Sequence, residues 1–190
     1  MEQNKFSEVE IRKVKFNKRG GLDVTFVDND FQTTEGLDPA GMTFEGPSEP
    51  VNRVKILFKR LVHHLLIVNE YPYKEITDSY IKNYKIVDDP TFKSFKVTSF
   101  IINGDSFLDP NAKVKLVGEK MLGSGEIVPL QTPFVRLYSD SEYSHSGNLQ
   151  IDIDALIDET KEYLNGKVTP SNQLALAFDK KEDDDEESDV

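Results

Sequence analysis

The residues that could do chemistry in this chain are few, and their spacing decides what they can do. His63 and His64 are adjacent, so on a helix they point about 100° apart and cannot form the i, i+4 pair that grips a metal ion. His145 lies in the loop-like stretch "SDSEYSHSGN". All three read as polar histidines of a helix and a loop. There is no cysteine, which excludes disulfides, thiolate catalysis and thiolate metal sites. No H-E-x-x-H, G-x-S-x-G or G-x-x-x-x-G-K-[ST] pattern occurs. "GSGE" (123–126) is a turn between strands, since no helix follows it to cradle a phosphate. In "IDIDALIDE" the acids Asp152, Asp154, Asp158 and Glu159 read as complements to the dipole of a starting helix. The spaced acids of "DNDFQTTEG" do not fit the spacing of a twelve-residue calcium loop. No catalytic constellation, metal site or cofactor is expected.

One mixed surface remains. Lys13, Lys15 and Phe16 precede Lys18 and Arg19 in a turn, and Lys93, Phe95 and Lys96 open a later strand. Lysines hold phosphates and rings stack on bases, so these eight residues form a candidate single-strand-binding face. Exposed lysines also alternate with buried aromatics on any half-buried sheet, so the pattern fits a plain solvated face as well.

The elements that must carry this face follow from periodicity. "VEIRKVKFNKRGGLDVTFVDND" reads as a β-hairpin, with a phase slip between Ile11 and Val14 that predicts a bulge. Gly20 and Gly21 supply positive φ in its turn, and Leu22, Val24 and Phe26 face inward. "GMTFEG" (41–46) is a short third strand. In "SEPVNRVKILFKRLVHHLLIVNE" the residues Val54, Leu57, Phe58, Leu61, Val62, Leu65 and Leu66 form one helical stripe, with Ser48 as N-cap and Pro50 in the first turn. Residues 75–86 read as a weaker helix. Strands are expected over 92–104, 112–121 and 126–138, the last broken or at an edge because of Pro129 and Pro133. "IDIDALIDETKEYLNGK" is an amphipathic helix with Ile153, Leu156, Ile157 and Leu164 on one side and Gly166 as its stop.

This order predicts an α+β fold: a curled, largely antiparallel sheet on one long helix, with a barrel of oligonucleotide-binding type as one form it could take. The expected organisation is a single α+β domain over 1–168 and a disordered tail over 169–190. With 37% hydrophobic and 10% aromatic residues the chain can build a real core. No apolar run of about 18 residues marks a membrane span, and "MEQNKFSEVEIRKVKF" lacks the apolar region of a signal peptide. The last twelve residues, "DKKEDDDEESDV", hold eight acids and two lysines, more than half of the net charge of −11. An acidic chain disfavours nonspecific duplex binding but leaves room for a local basic face.

The tail carries a second candidate. "QLALAF" (173–178) resembles the hexapeptide form of the bacterial sliding-clamp-binding motif, with Gln173, Leu174, Leu176 and Phe178 at the anchoring positions. The resemblance implies a glutamine docked in a polar pocket and apolar residues in a greasy cleft of a partner. The acidic run behind it resembles the tails of bacterial and phage single-stranded-DNA-binding proteins, although those of cells end in a proline-phenylalanine tip and this one ends "ESDV". Across "GGLDVTF", "TPFVRLY" and the helix ending "NGK", the chain is similar to a group of small phage and prophage proteins of poorly defined function. What these resemblances imply is a phage protein of the host cytoplasm. It would be a non-enzymatic accessory of DNA replication or recombination that binds single-stranded DNA and recruits the clamp or another replication protein. The competing expectations are an inhibitor or anti-defence protein that binds a host protein by imitating nucleic acid, and a virion or assembly protein. No membrane partner is expected, and a homo-oligomer is left open.

Overall fold

The structure, a computed structural model, describes residue 6 and residues 8–28, 41–71, 92–104, 111–137 and 142–169. Its first hairpin joins β1 (Val9–Phe16) to β2 (Leu22–Asp28), antiparallel, with the register shifting between Ile11 and Lys13 where the phase slip predicts a bulge. Asn17 organises the turn. Its side-chain oxygen accepts from the Arg19 and Gly21 amides at 3.0 and 2.9 Å, and its amide donates to the Gly46 carbonyl at 2.8 Å. Only Gly20 has positive φ, at 85°. Gly21 is needed for a different reason than the one expected: a Cβ there would sit 2.0 Å from the Gly46 oxygen.

β3 (Met42–Glu45) pairs with β2, and the chain then enters α1 (Asn52–Val68). Ser48 does not cap this helix and Pro50 precedes it. The N-cap is Val51 without a side-chain hydrogen bond, Pro50 forms a β-bridge with Val168, and the Ser48 carbonyl accepts from the Tyr163 hydroxyl. The apolar stripe falls as its spacing requires, with Leu61 and Leu65 fully buried. β4 (Phe95–Asn103) and β5 (Lys113–Met121) form a long antiparallel pair at the centre. The segment with Pro129 and Pro133 is broken, as expected, into β6 (Ile127–Gln131) and β7 (Val135–Arg136), both paired with β5. Thr132 spans the break: its amide donates to the Leu116 carbonyl at 2.9 Å and its hydroxyl accepts from the Leu116 amide at 3.0 Å.

The sheet order is β3-β2-β1-β4-β5-β6, with β7 beside β5. This is the α+β architecture read from the sequence, a curled antiparallel sheet with helices on one face. Among the described residues it stays open, with β3 and β6 at its edges, and does not close into a barrel. The last helix, α2 (Ser146–Leu164), begins five residues before the apolar pattern suggests and packs against α1 and the sheet. Gly166, with φ of 96°, ends it in a Schellman motif: the Lys167 amide reaches the Glu162 carbonyl and the Gly166 amide the Tyr163 carbonyl. One hydrophobic cluster, from Val9 to Leu164, joins both helices to the sheet. Among the described residues no helix is long and apolar enough to cross a membrane. The weak helix expected over 75–86 and the loop acids beyond Asp28 lie outside the described residues, as does the tail beyond Thr169.

Candidate functional site

A cavity of about 580 Å³ opens where the end of β1, the outer edge of α1 and the turn entering β4 meet. Phe16, Phe58, Phe92 and Phe95 contribute its aromatic surface, with Val62 and Val97 between them. Phe16 arrives there because the β1 bulge shifts the alternation, and its ring meets Phe58 at 4.7 Å. Phe95 is pinned from behind by Tyr71, ring centroids 5.4 Å apart, with the Lys120 ammonium 5.2 Å from its centre. Four lysines complete the lining: Lys55 and Lys59, one turn apart on α1, and Lys93 and Lys96, flanking the start of β4. Glu49 is the one carboxylate among the described lining residues, and it is paired with Lys55. Among the described residues no carboxylate is paired with Lys59, Lys93 or Lys96.

Four of the eight residues proposed for the basic-aromatic face therefore come together: Phe16, Lys93, Phe95 and Lys96. Lys18 and Arg19 are exposed in the turn whose Asn17 and Gly20 form part of the cavity wall. Lys13 and Lys15 stand on the other face of the sheet. They flank the fully buried Val14 and pair with Thr25 and Ile101, and with Asp23 and Ser99. Sequence reasoning did not include Lys55, Phe58, Lys59, His63 and Phe92. The i, i+4 lysines were visible, but which edge of α1 meets residues 92–97 is a tertiary fact. Gln173, Leu174, Leu176 and Phe178 lie outside the described residues.

His63 lines the cavity with its ring against Phe92, centroids 4.9 Å apart. Burial, helped by the neighbouring His64, lowers its pKa to about 4 against the pull of Asp152, so at neutral pH it is uncharged. His64 points elsewhere and is not an ordinary polar helix residue: it is 0% exposed. It shares a 2.7 Å hydrogen bond between Nδ1 and the Tyr143 hydroxyl, and its Nε2 lies 3.5 Å from Asp152. Asp152 in turn meets Arg60 at 3.1 Å, and His145 stacks edge-on against Tyr143. Asp152 and Glu159 are thus not dipole partners at a helix start. They sit buried in the second and fourth turns of α2, where Glu159 pairs with Arg53 at 3.1 Å and Lys167 at 3.2 Å. This carboxylate–imidazole–hydroxyl arrangement is closed from solvent at His64, so it ties α2 and its entry loop to α1.

Among the described residues no group of histidine and carboxylate side chains could hold a metal ion. The lining puts charge at the lysines and ring surface between them, a combination whose chemistry suits an anion with a flat apolar part. No protein-family model, curated protein or solved structure matches the chain.

Proposed function

We propose that the chain is a non-enzymatic accessory protein of phage DNA replication or recombination, acting in the host cytoplasm, which binds single-stranded DNA through this cavity. The observation that supports it most is the gathering of four phenylalanines and four lysines around one concavity in a chain whose net charge is −11. Lysines neutralise phosphates and rings stack on bases without sequence preference, which is the usual chemistry of single-strand binding. A protein imitating nucleic acid would gather acids at its recognition surface, so the basic cavity favours binding over mimicry.

The end of the described chain supports a role for the tail. Thr169 is anchored at the cavity wall: its amide donates to the Glu49 carbonyl at 2.9 Å and its hydroxyl to the Pro50 carbonyl at 2.8 Å. Thr169 thus stands next to Glu49, the partner of Lys55, and the acidic run begins ten residues later. Its charge competes with phosphate there, while Gln173, Leu174, Leu176 and Phe178 recruit the clamp or another replication protein.

Anisotropy of a labelled oligothymidylate across a salt series tests the DNA reading. Three or four phosphate contacts predict a log–log salt slope of about −2 to −3. Lys59→Glu with Lys93→Glu weakens binding and flattens the slope, and deletion of 179–190 tightens it. Absence of binding by the tail-deleted protein at low salt overturns the proposal. For recruitment, Gln173→Ala and Phe178→Ala abolish capture of purified clamp; capture unaffected by either removes that part.

A further inference from the structure

The cavity's rings are buried where a stacking track would expose them. Phe58, Phe92 and Phe95 are 3%, 8% and 7% exposed, and only Phe16 is half-buried. Proteins that thread a strand over a sheet lay ring faces out in a row for successive bases. Among the described residues the open face of this sheet has no such row. From β1 across β4 to β5 it presents Lys13, Lys15, Ile101, Lys115 and Val117, each alternating with a buried core residue. The aromatic surface lies instead inside a concavity of about 580 Å³, a size typical of sites for one small ligand.

We infer that this cavity is a site for a single nucleoside monophosphate, with the base seated against the aromatic wall of Phe16, Phe58 and Phe92 and the phosphate held at the mouth by Lys59, Lys93 and Lys96. The inference rests on the single-strand reading and makes it specific: the protein binds a free or terminal nucleotide and does not lay a strand along a track. The division of charge within the cavity sets the orientation. Uncharged surface is contributed by the phenylalanines, Val62 and Val97, and His63 is neutral at physiological pH, so among the described lining residues the interior offers no cation to a phosphate. The positive charge of the described lining is on the lysines, and Lys55 is already engaged by Glu49. Three lysines around one mouth suit a phosphomonoester, which carries close to two negative charges at neutral pH, better than an internal diester with one.

Titration calorimetry on the full chain tests this, with dTMP, dAMP, thymidine, inorganic phosphate, and oligothymidylate with and without a 5′-phosphate as probes. Saturable binding of dTMP or dAMP is expected, with thymidine and phosphate each weaker by about ten-fold or more, because each lacks half of the contacts. Lys93→Glu lowers mononucleotide affinity by a similar factor of about ten. Lys93 is exposed, and unchanged circular dichroism and melting exclude misfolding as the cause. Lys96→Gln gives a second reading, and Lys15→Glu on the far face leaves the affinity unchanged. Tighter binding of the 5′-phosphorylated oligonucleotide places the site at strand ends; equal binding of the two, with mononucleotide still bound, makes the ligand a free nucleotide. If oligothymidylate binds and neither mononucleotide does so or competes, the mononucleotide site is overturned while single-strand binding stands. If mononucleotide binds and no oligonucleotide does, the site stands and the DNA reading falls. Binding of neither overturns both.

Discussion

Tyr163 holds three separately folded pieces together, and its hydroxyl can be removed without disturbing anything else. The ring is buried near the end of α2, and its oxygen donates to the Ser48 carbonyl at 2.6 Å while accepting from the Leu22 amide at 3.2 Å. Those partners lie at the start of β2 and in the segment leading to α1. Tyr163→Phe leaves a buried amide and a carbonyl unpaired, each worth about 1–1.5 kcal/mol, for a total of about 2–3 kcal/mol. In a chain of this size that lowers the melting temperature by roughly 5–10 °C. The same contact makes a second, sharper expectation. A Cβ at Gly46 would stand 2.1 Å from the Tyr163 oxygen and 2.6 Å from its ring, so Gly46→Ala must push out a packed, hydrogen-bonded side chain. Overpacking and the lost bonds together make that cost about 3–5 kcal/mol. Gly46 does not have positive φ, so the alanine itself is unstrained. In a Tyr163→Ala background the three atoms nearest the added methyl are gone, so it costs under about 1 kcal/mol, a coupling of about 2 kcal/mol or more. Urea denaturation of the four proteins measures the cycle. If Gly46→Ala costs the same in both backgrounds, or Tyr163→Phe costs less than about 0.5 kcal/mol, the reasoning is wrong.

Three other expectations follow from single residues. Glu70 ends α1 with φ of 54°, in the position Gly166 takes after α2, so Glu70→Gly stabilises the protein by about 0.5–1 kcal/mol in chemical denaturation. Arg60→Ala strands the buried Asp152 carboxylate beside His64 and destabilises by about 3–5 kcal/mol, and Asp152→Asn in that background restores part of the loss. Because His63 has its pKa lowered from 6.5 to about 4, the unfolded chain binds a proton that the folded one refuses, and stability rises as pH increases from about 4 to 6.5. The window is worth about 2–3 kcal/mol, and His64, also lowered by burial, adds to it in the same direction. Asp154, whose carboxyl is raised by burial and by Asp158, acts with the opposite sign above its ordinary value of 3.8. His63→Gln should flatten the profile relative to the parent; parallel profiles would contradict the assignment.

What was legible in the sequence was whatever local pattern dictates. Seven apolar residues at helical spacing had to be one face of α1, and the slipped alternation at Ile11–Val14 had to be a bulge. Pro129 and Pro133 cannot donate to a ladder, so the strand they interrupt had to break. The start of α2 was hidden because "SHSGNLQ" offers only Leu149 to the core, and Ser48 was a good cap by type but lies three residues before Val51, where α1 is entered. Half of the site was legible for the same reason the other half was not. Phe16, Lys93, Phe95 and Lys96 could be singled out by residue type, whereas Lys55, Phe58, Lys59 and His63 enter only because α1 lies over β4 at one particular rotation.

That rotation has a cause in the sequence that periodicity of apolar residues does not reveal. Arg53 and Arg60 are seven residues apart on α1, and Asp152 and Glu159 are seven apart on α2. Two antiparallel helices bring such pairs into register, and Arg53 meets Glu159 while Arg60 meets Asp152. The acids occupy buried positions of α2, so an unpaired carboxylate there would be costly, and α1 is locked with its arginine edge toward α2. Its lysine edge, Lys55 and Lys59, is then forced to the opposite side, over the aromatic cavity. The choice of cation on each edge agrees with its surroundings. Arginine, planar and weakly hydrated, suits fixed pairing with buried carboxylates, and lysine, a mobile and well-hydrated charge, suits an open mouth. A buried ionic contact on one side of the helix thereby sets where positive charge is presented on the other, which is how a strongly acidic chain keeps one basic concavity.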